Sequence, residues 1–294
     1  MFYRRKVILA LLQLFDNELE KIRLQKLLFL FTQRQVKKEY DFIPYKFGCF
    51  SYSANADLTA MMQRGIVSET ESRFASNDKT DYLSVIKAED KTFLQEIRMQ
   101  YGKMDSRALM KHTYIHFPYW AINSTTARDI LSPSELAKLV QTKPKSEETI
   151  LFTIGYEGIS LEEYLNRLIK NDIKVLVDVR NKPMSMKYGF NKNQLKRFCE
   201  NLGIQYVHFP EVGIQSEQRQ ELNIQADYDQ LFDNYKATNL PKTQAIQKMI
   251  FDLLKQQQRI ALTCFEANIY QCHRKHLAEA IANMPDFDYE LKHI

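Results

Sequence analysis

Two cysteines, a glutamate, a histidine and an arginine crowd into Cys264-Phe265-Glu266-Ala267-Asn268-Ile269-Tyr270-Gln271-Cys272-His273-Arg274. The apolar run before it, 259 to 264, predicts a strand, and 272 to 283 predicts a helix that opens with Cys-His-Arg. Free amides at a helix start, with His273 and Arg274 beside them, make a natural site for phosphate or carboxylate. Three chemistries suit these groups. Asp178 or Glu266 can serve as general acid or base, or offset positive charge in an oxocarbenium-like transition state, with Arg180 and Arg274 holding phosphates. Cys264 or Cys272, its pKa lowered by Arg274, His273 and the helix dipole, can be a thiolate nucleophile. Cys264, Cys272, His273 and His276 are also metal-ligating types, but their spacing matches no standard zinc pattern, so neither a metal nor another cofactor is expected.

The elements that must position these residues alternate between short apolar runs and helical patterns, the rhythm of βαβ units around a mainly parallel sheet. Strands are predicted at 150–154, 175–179, 205–208 and 259–264, and helices at 161–169, 194–202, 242–257 and 272–283. Tyr156 and Glu157 follow the first strand, Asp178 and Arg180 end the second, His208 ends the third and Glu266 follows the last. In an open parallel sheet ligands bind outside the carboxyl ends of the strands, so these side chains should converge. Residues 211–240 are polar and read as a loop, a lid or an insertion. Plainer roles compete: Asp178 and Arg180 as a structural ion pair, Cys264 as a buried thiol, Cys199 as core, and His112 and His116 as structural.

The first half has another pattern. Helices are predicted at 4–15, 20–35, from Ser53 to Gly65, and at 88–101, 105–113 and 133–140, with a turn-rich aromatic stretch at 41–50. The polar segment 142–149 separates the halves, giving a mainly helical domain over 1–145 and a Rossmann-like α/β domain over 150–294.

The chain of 294 residues has globular composition, with 45% hydrophobic and 26% charged residues, which excludes disorder. Polar residues from Gln13 onward break the N-terminal apolar run, and no stretch reaches the roughly 18 apolar residues of a membrane span. Four scattered cysteines without framework spacing point to reduced thiols and a cytoplasmic location. The net charge of +5 is uneven: residues 1–145 hold 23 Lys and Arg against 16 Asp and Glu. Such a surplus suits docking on DNA, RNA or an acidic protein partner.

Motifs in both halves resemble known families. Thr153-Ile154-Gly155-Tyr156-Glu157-Gly158, Leu176 to Ser185, Gly203 to Pro210, Cys264-Phe265-Glu266 and Cys272-His273-Arg274 resemble the family called domain of unknown function 488. That resemblance implies a shared pocket, and some members are labelled DNA-repair-like. The Asp-Val-Arg strand end is also similar to rhodanese-type domains, though their cysteine loop is absent. Lys21 to Leu30, Tyr45 to Ser51 and Leu109 to Pro118 resemble the Panacea (SocA-like antitoxin) and YwgA-type domains, which implies a winged-helix-like recognition module.

The expected protein is a nucleic-acid- or nucleotide-directed hydrolase, glycosylase-like, in DNA repair or phage defence. Its catalytic set is Asp178, Glu266 and Cys264; its substrate- or anion-binding set is Tyr156, Glu157, Arg180, Ser185, His208, Cys272, His273 and Arg274. The alternatives are a regulatory module sensing a nucleotide or anion, and a cysteine-dependent enzyme.

Overall fold

The computed structural model describes residues 1–215, 218 and 222–294. The chain divides into two compact units, Met1–Lys143 and Pro144–Ile294.

The first unit is mainly helical. Helix α1 (Tyr3–Leu14) leads through β1 (Glu18–Glu20) into α2 (Lys21–Thr32), where Leu24, Leu27, Leu28 and Phe31 are fully buried. A hairpin of β2 (Ile43–Tyr45) and β3 (Gly48–Phe50) precedes α3 (Tyr52–Met62), whose start is capped by the Ser51 side chain accepting from the Ala54 amide at 3.1 Å. Strands β4 (Val67–Glu69) and β5 (Arg73–Ser76) join β1 in an antiparallel sheet of order β1-β5-β4. Helices α4 (Ala88–Tyr101), α5 (Ser106–His116) and α6 (Pro133–Gln141) follow, with short helical turns at Tyr82–Val85, Pro118–Ala121 and Ala127–Ile130. The three short strands carry Glu, Ser and Arg at exposed positions, so their sequence has little apolar alternation to mark them as strands.

The second unit is α/β. Its strands are β6 (Ile150–Gly155), β7 (Val175–Asp178), β8 (Gln205–His208), β9 (Arg259–Cys264) and β10 (Glu290–His293), in the order β10-β6-β9-β7-β8. Every neighbouring pair is parallel. Helices α7 (Leu161–Lys170), α8 (Lys192–Glu200), α9 (Gln225–Asn234), α10 (Gln244–Gln257) and α11 (His273–Ala282) connect or flank them. Strands β6, β7 and β9 are buried along their whole length, as both-faced coverage of a parallel sheet requires. Ser160 and Asn191 cap α7 and α8, accepting from the Glu163 and Gln194 amides at 3.0 Å.

Two stretches differ from the sequence reading. Where residues 211–240 suggested a loop, α9 and the continuing turns Tyr235–Asn239 and Leu240–Lys242 form a helical arm anchored by buried Phe232 and Tyr235. The rest of that expectation, at 216–217 and 219–221, lies outside the described residues. Strand β10 was not predicted because its Glu-Leu-Lys-His sequence occupies an exposed sheet edge with little apolar demand.

After β8 the chain returns to insert β9 between β6 and β7, and the register aligns their carboxyl ends. Gly155 lies opposite Cys264, Asp178 opposite Thr263, and Asp178 opposite His208. The sheet therefore delivers the polar strand ends to one edge.

Candidate functional site

The segment after β9 folds back over the end of β6. The Tyr156 and Glu157 amides donate to the Phe265 carbonyl at 3.1 and 2.9 Å, and the Glu157 carboxylate accepts the Ala267 amide at 2.9 Å. This approach requires a glycine at 155, because a Cβ there would stand 2.0 Å from the Glu266 carbonyl oxygen. Arg274, 2% exposed, donates through Nη1 to the Glu266 carbonyl at 2.5 Å and through Nη2 to that of Ala267 at 3.4 Å. It therefore staples this loop to α11, whereas the sequence reading had it hold phosphate.

Beneath the loop end is a cavity of about 340 Å³, walled by Tyr156, Arg180 and Ser185 and reached by Cys264. Asn181, Lys182, Met184, Met186 and Phe265 line it as well, and none of these was foreseen. Lys182, Met184, Met186 and Phe265 are exposed, so a cation and apolar surface stand together at the mouth. Asn181 and Lys182 directly follow Arg180, which was the available signal for them.

Asp178 is fully buried and is not among the residues lining this cavity. Its Oδ1 accepts from the Arg180 amide at 3.1 Å and from Nε at 2.8 Å; its Oδ2 accepts from Arg180 Nη2 at 2.5 Å and from the Tyr206 hydroxyl at 2.6 Å. The carboxylate thus holds Arg180 in place, where the sequence reading expects an acid or base. Arg180 Nη1 donates further to the Tyr156 hydroxyl and the Phe190 carbonyl, both at 2.8 Å. Four of its five N–H donors are engaged inside the protein, so it shapes the cavity wall more than it can clamp an anion. Burial opposes the Arg180 charge, but the hydrogen bonds and charge of Asp178 outweigh it and push the pKa above the ordinary arginine value. Tyr156 stacks on Phe190 at 4.2 Å between centroids, and burial raises its pKa against the opposing pull of Arg180.

His208 is tied down on both sides, with Nε2 2.8 Å from the Arg180 carbonyl and Nδ1 2.9 Å from Lys192 Nζ. A carbonyl only accepts, so Nε2 carries the proton. His208 supports the Arg180 backbone and does not line the cavity.

The groups around Cys264 are arranged differently. Cys264 Sγ is 3.2 Å from Glu266 Oε2 and 3.6 Å from His273 Nδ1. His273 Nε2 is 3.0 Å from the Val179 carbonyl and must donate to it. In the neutral ring that leaves Nδ1 as an acceptor facing the thiol. Cys272, the residue before α11, completes the cluster: the ligand atoms of Cys264, Cys272 and His273 all lie within 4.8 Å of one another. Burial, then a hydrogen bond with Cys264, pushes the Cys272 thiol well above its usual value. His276 turns away, with Nδ1 3.5 Å from Glu279 and its ring against Phe232. Cys199 lies in the core under α8.

Residues 160–281 match the family model described as Domain of unknown function DUF488. The DUF488 stretch runs from α7 almost to the end of α11, and so contains Asp178, Arg180, Cys264, Glu266, Cys272 and His273. Strand β6 with Tyr156 precedes it and β10 follows it. No curated protein matches the chain.

The first unit has its own cavity, about 740 Å³, with Ile22, Tyr45, Phe50 and Phe74 among its walls and Lys26 in its lining. Lys26 is 2% exposed and donates to the Cys49 carbonyl at 2.8 Å. Burial lowers its pKa from the ordinary 10.5, with Cys49 acting the other way. Between the depressed folded value and 10.5 the unfolded chain binds the extra proton, so this group adds stability as pH rises through that window. The thermal midpoint of the wild type should climb as pH approaches 10.5 relative to Lys26→Met, in which that increment is missing. Parallel curves for the two proteins would show that the amine titrates alike in both states.

Proposed function

We propose that the second unit is a cysteine-dependent enzyme acting on a phosphate-bearing substrate of nucleotide type, with Cys264 as nucleophile. The observation that carries this reading is the Cys264 thiol reaching the cavity with Glu266 Oε2 at 3.2 Å and His273 Nδ1 at 3.6 Å. A nucleophile, a proton acceptor and a group orienting that acceptor, the Val179 carbonyl, are together. Two carboxylates facing a glycosidic bond are not favoured, since Asp178 is enclosed by Arg180 and Tyr206.

In this mechanism the S–H bond breaks as sulfur bonds to the electrophilic centre, and the proton passes to His273 or Glu266. The leaving group departs with its electron pair and takes up a proton from the same pair. Water, deprotonated by Glu266 or His273, then displaces sulfur and restores the thiol. Lys182 meets the phosphate, while Met184, Met186 and Phe265 offer the apolar surface a base needs. The basic first unit, with its resemblance to Panacea-type recognition modules, would bring nucleic acid or a protein partner to this centre. The test is a panel of nucleotides and modified nucleic acids assayed for product with wild type and Cys264→Ser. Product from the wild type alone supports the reading.

A further inference from the structure

We propose that Cys264, Cys272 and His273 form a binding site for one thiophilic d¹⁰ cation, Zn²⁺ being the probe of choice. The sequence hid this because two of the three ligands are adjacent, which is no zinc-finger spacing. The fold supplies what the spacing lacks: Cys264 ends β9, while Cys272 and His273 stand at the start of α11, so two rigid element ends face each other. Tetrahedral zinc, with Zn–S of about 2.3 Å and Zn–N of about 2.0–2.1 Å, needs S···N edges of about 3.6 Å. Cys264 Sγ and His273 Nδ1 are 3.6 Å apart, and the atoms of all three groups fall within 4.8 Å.

Two further features fit a metal. His273 Nε2 donates to the Val179 carbonyl at 3.0 Å, the outer contact that fixes a ligating imidazole with its other nitrogen toward the ion. Charge also balances, since two thiolates neutralise a divalent cation in a site whose three residues are at most 1% exposed. Binding releases one proton from each cysteine and forms two Zn–S bonds and one Zn–N bond.

The site stands on this geometry alone. Its consequence rests on the proposed function: a metal held by the Cys264 sulfur occupies the electron pair that attack requires, so the metal-bound and reactive states exclude each other.

The experiment titrates full-length protein, reduced with a phosphine, with Zn²⁺ against a chromophoric chelator, and with Co²⁺ for its spectrum. One equivalent of zinc, thiolate-to-cobalt charge-transfer bands, and affinity lower by on the order of 100-fold in Cys264→Ser, Cys272→Ser and His273→Gln are expected. The cobalt spectrum is read on the wild type, so it decides even where a variant folds poorly. Absence of those bands, or equal zinc affinity in Cys272→Ser, would overturn the site and leave the thiol enzyme untouched. Zinc bound as expected in a protein whose metal-free Cys264 is inert would uphold the site and refute the enzyme.

Discussion

Cys264→Ser is expected to lower turnover by on the order of 10³-fold or more, the loss typical when the nucleophile of an interdependent catalytic group is removed. The serine hydroxyl fits the same space at the end of β9 and can still meet Glu266 and His273, so binding should survive. What it lacks is the nucleophilicity of sulfur once its proton has moved. The signature is therefore a fall in kcat with KM little changed, measured on whichever phosphate-bearing compound the wild type consumes. Full turnover in this variant would take the thiol out of the reaction and return the chemistry to Glu266 and water.

Removing Asp178 should act on stability first. Its carboxylate is completely buried and accepts three hydrogen bonds from Arg180 and one from Tyr206. Asp178→Ala leaves the Arg180 guanidinium, itself 6% exposed, without its counter-charge, and breaking such a buried pair costs roughly 3–5 kcal/mol. Denaturant unfolding of wild type and variant gives this difference directly. A cost near the 1 kcal/mol or less of exposed ion pairs would mean that water reaches Arg180 and that the cavity wall is looser than the hydrogen bonds imply.

These two residues show what the sequence made legible. Alternation of apolar strands with helical segments was enough to place Asp178, His208 and Cys264 at one end of a parallel sheet, and the register brings those ends level. Their roles were not legible, because each is set by a partner distant in sequence. Tyr206 decides that Asp178 is enclosed, the Phe190 carbonyl decides that Arg180 is held inward, and the Val179 carbonyl decides which nitrogen of His273 faces Cys264. Arg274 looked like an anion ligand at a helix start but meets two backbone carbonyls of its own loop. The helical arm after residue 224 was hidden by its Asn, Asp and Gln content and by Pro241, since only Phe232 and Tyr235 are buried there to mark a face. Metal-ligating types were visible at 264, 272, 273 and 276, and only three-dimensional placement separates His276 from the rest.

The most direct test is a peptide map of native, reduced protein after limiting iodoacetamide. Cys264 should be labelled ahead of Cys49, Cys199 and Cys272, because it reaches the 340 Å³ cavity while Cys199 is sealed in the core. A nucleotide that occupies the cavity should slow that labelling. Cys264 modified no faster than Cys199, with or without nucleotide, would contradict a reactive thiol at the end of this sheet.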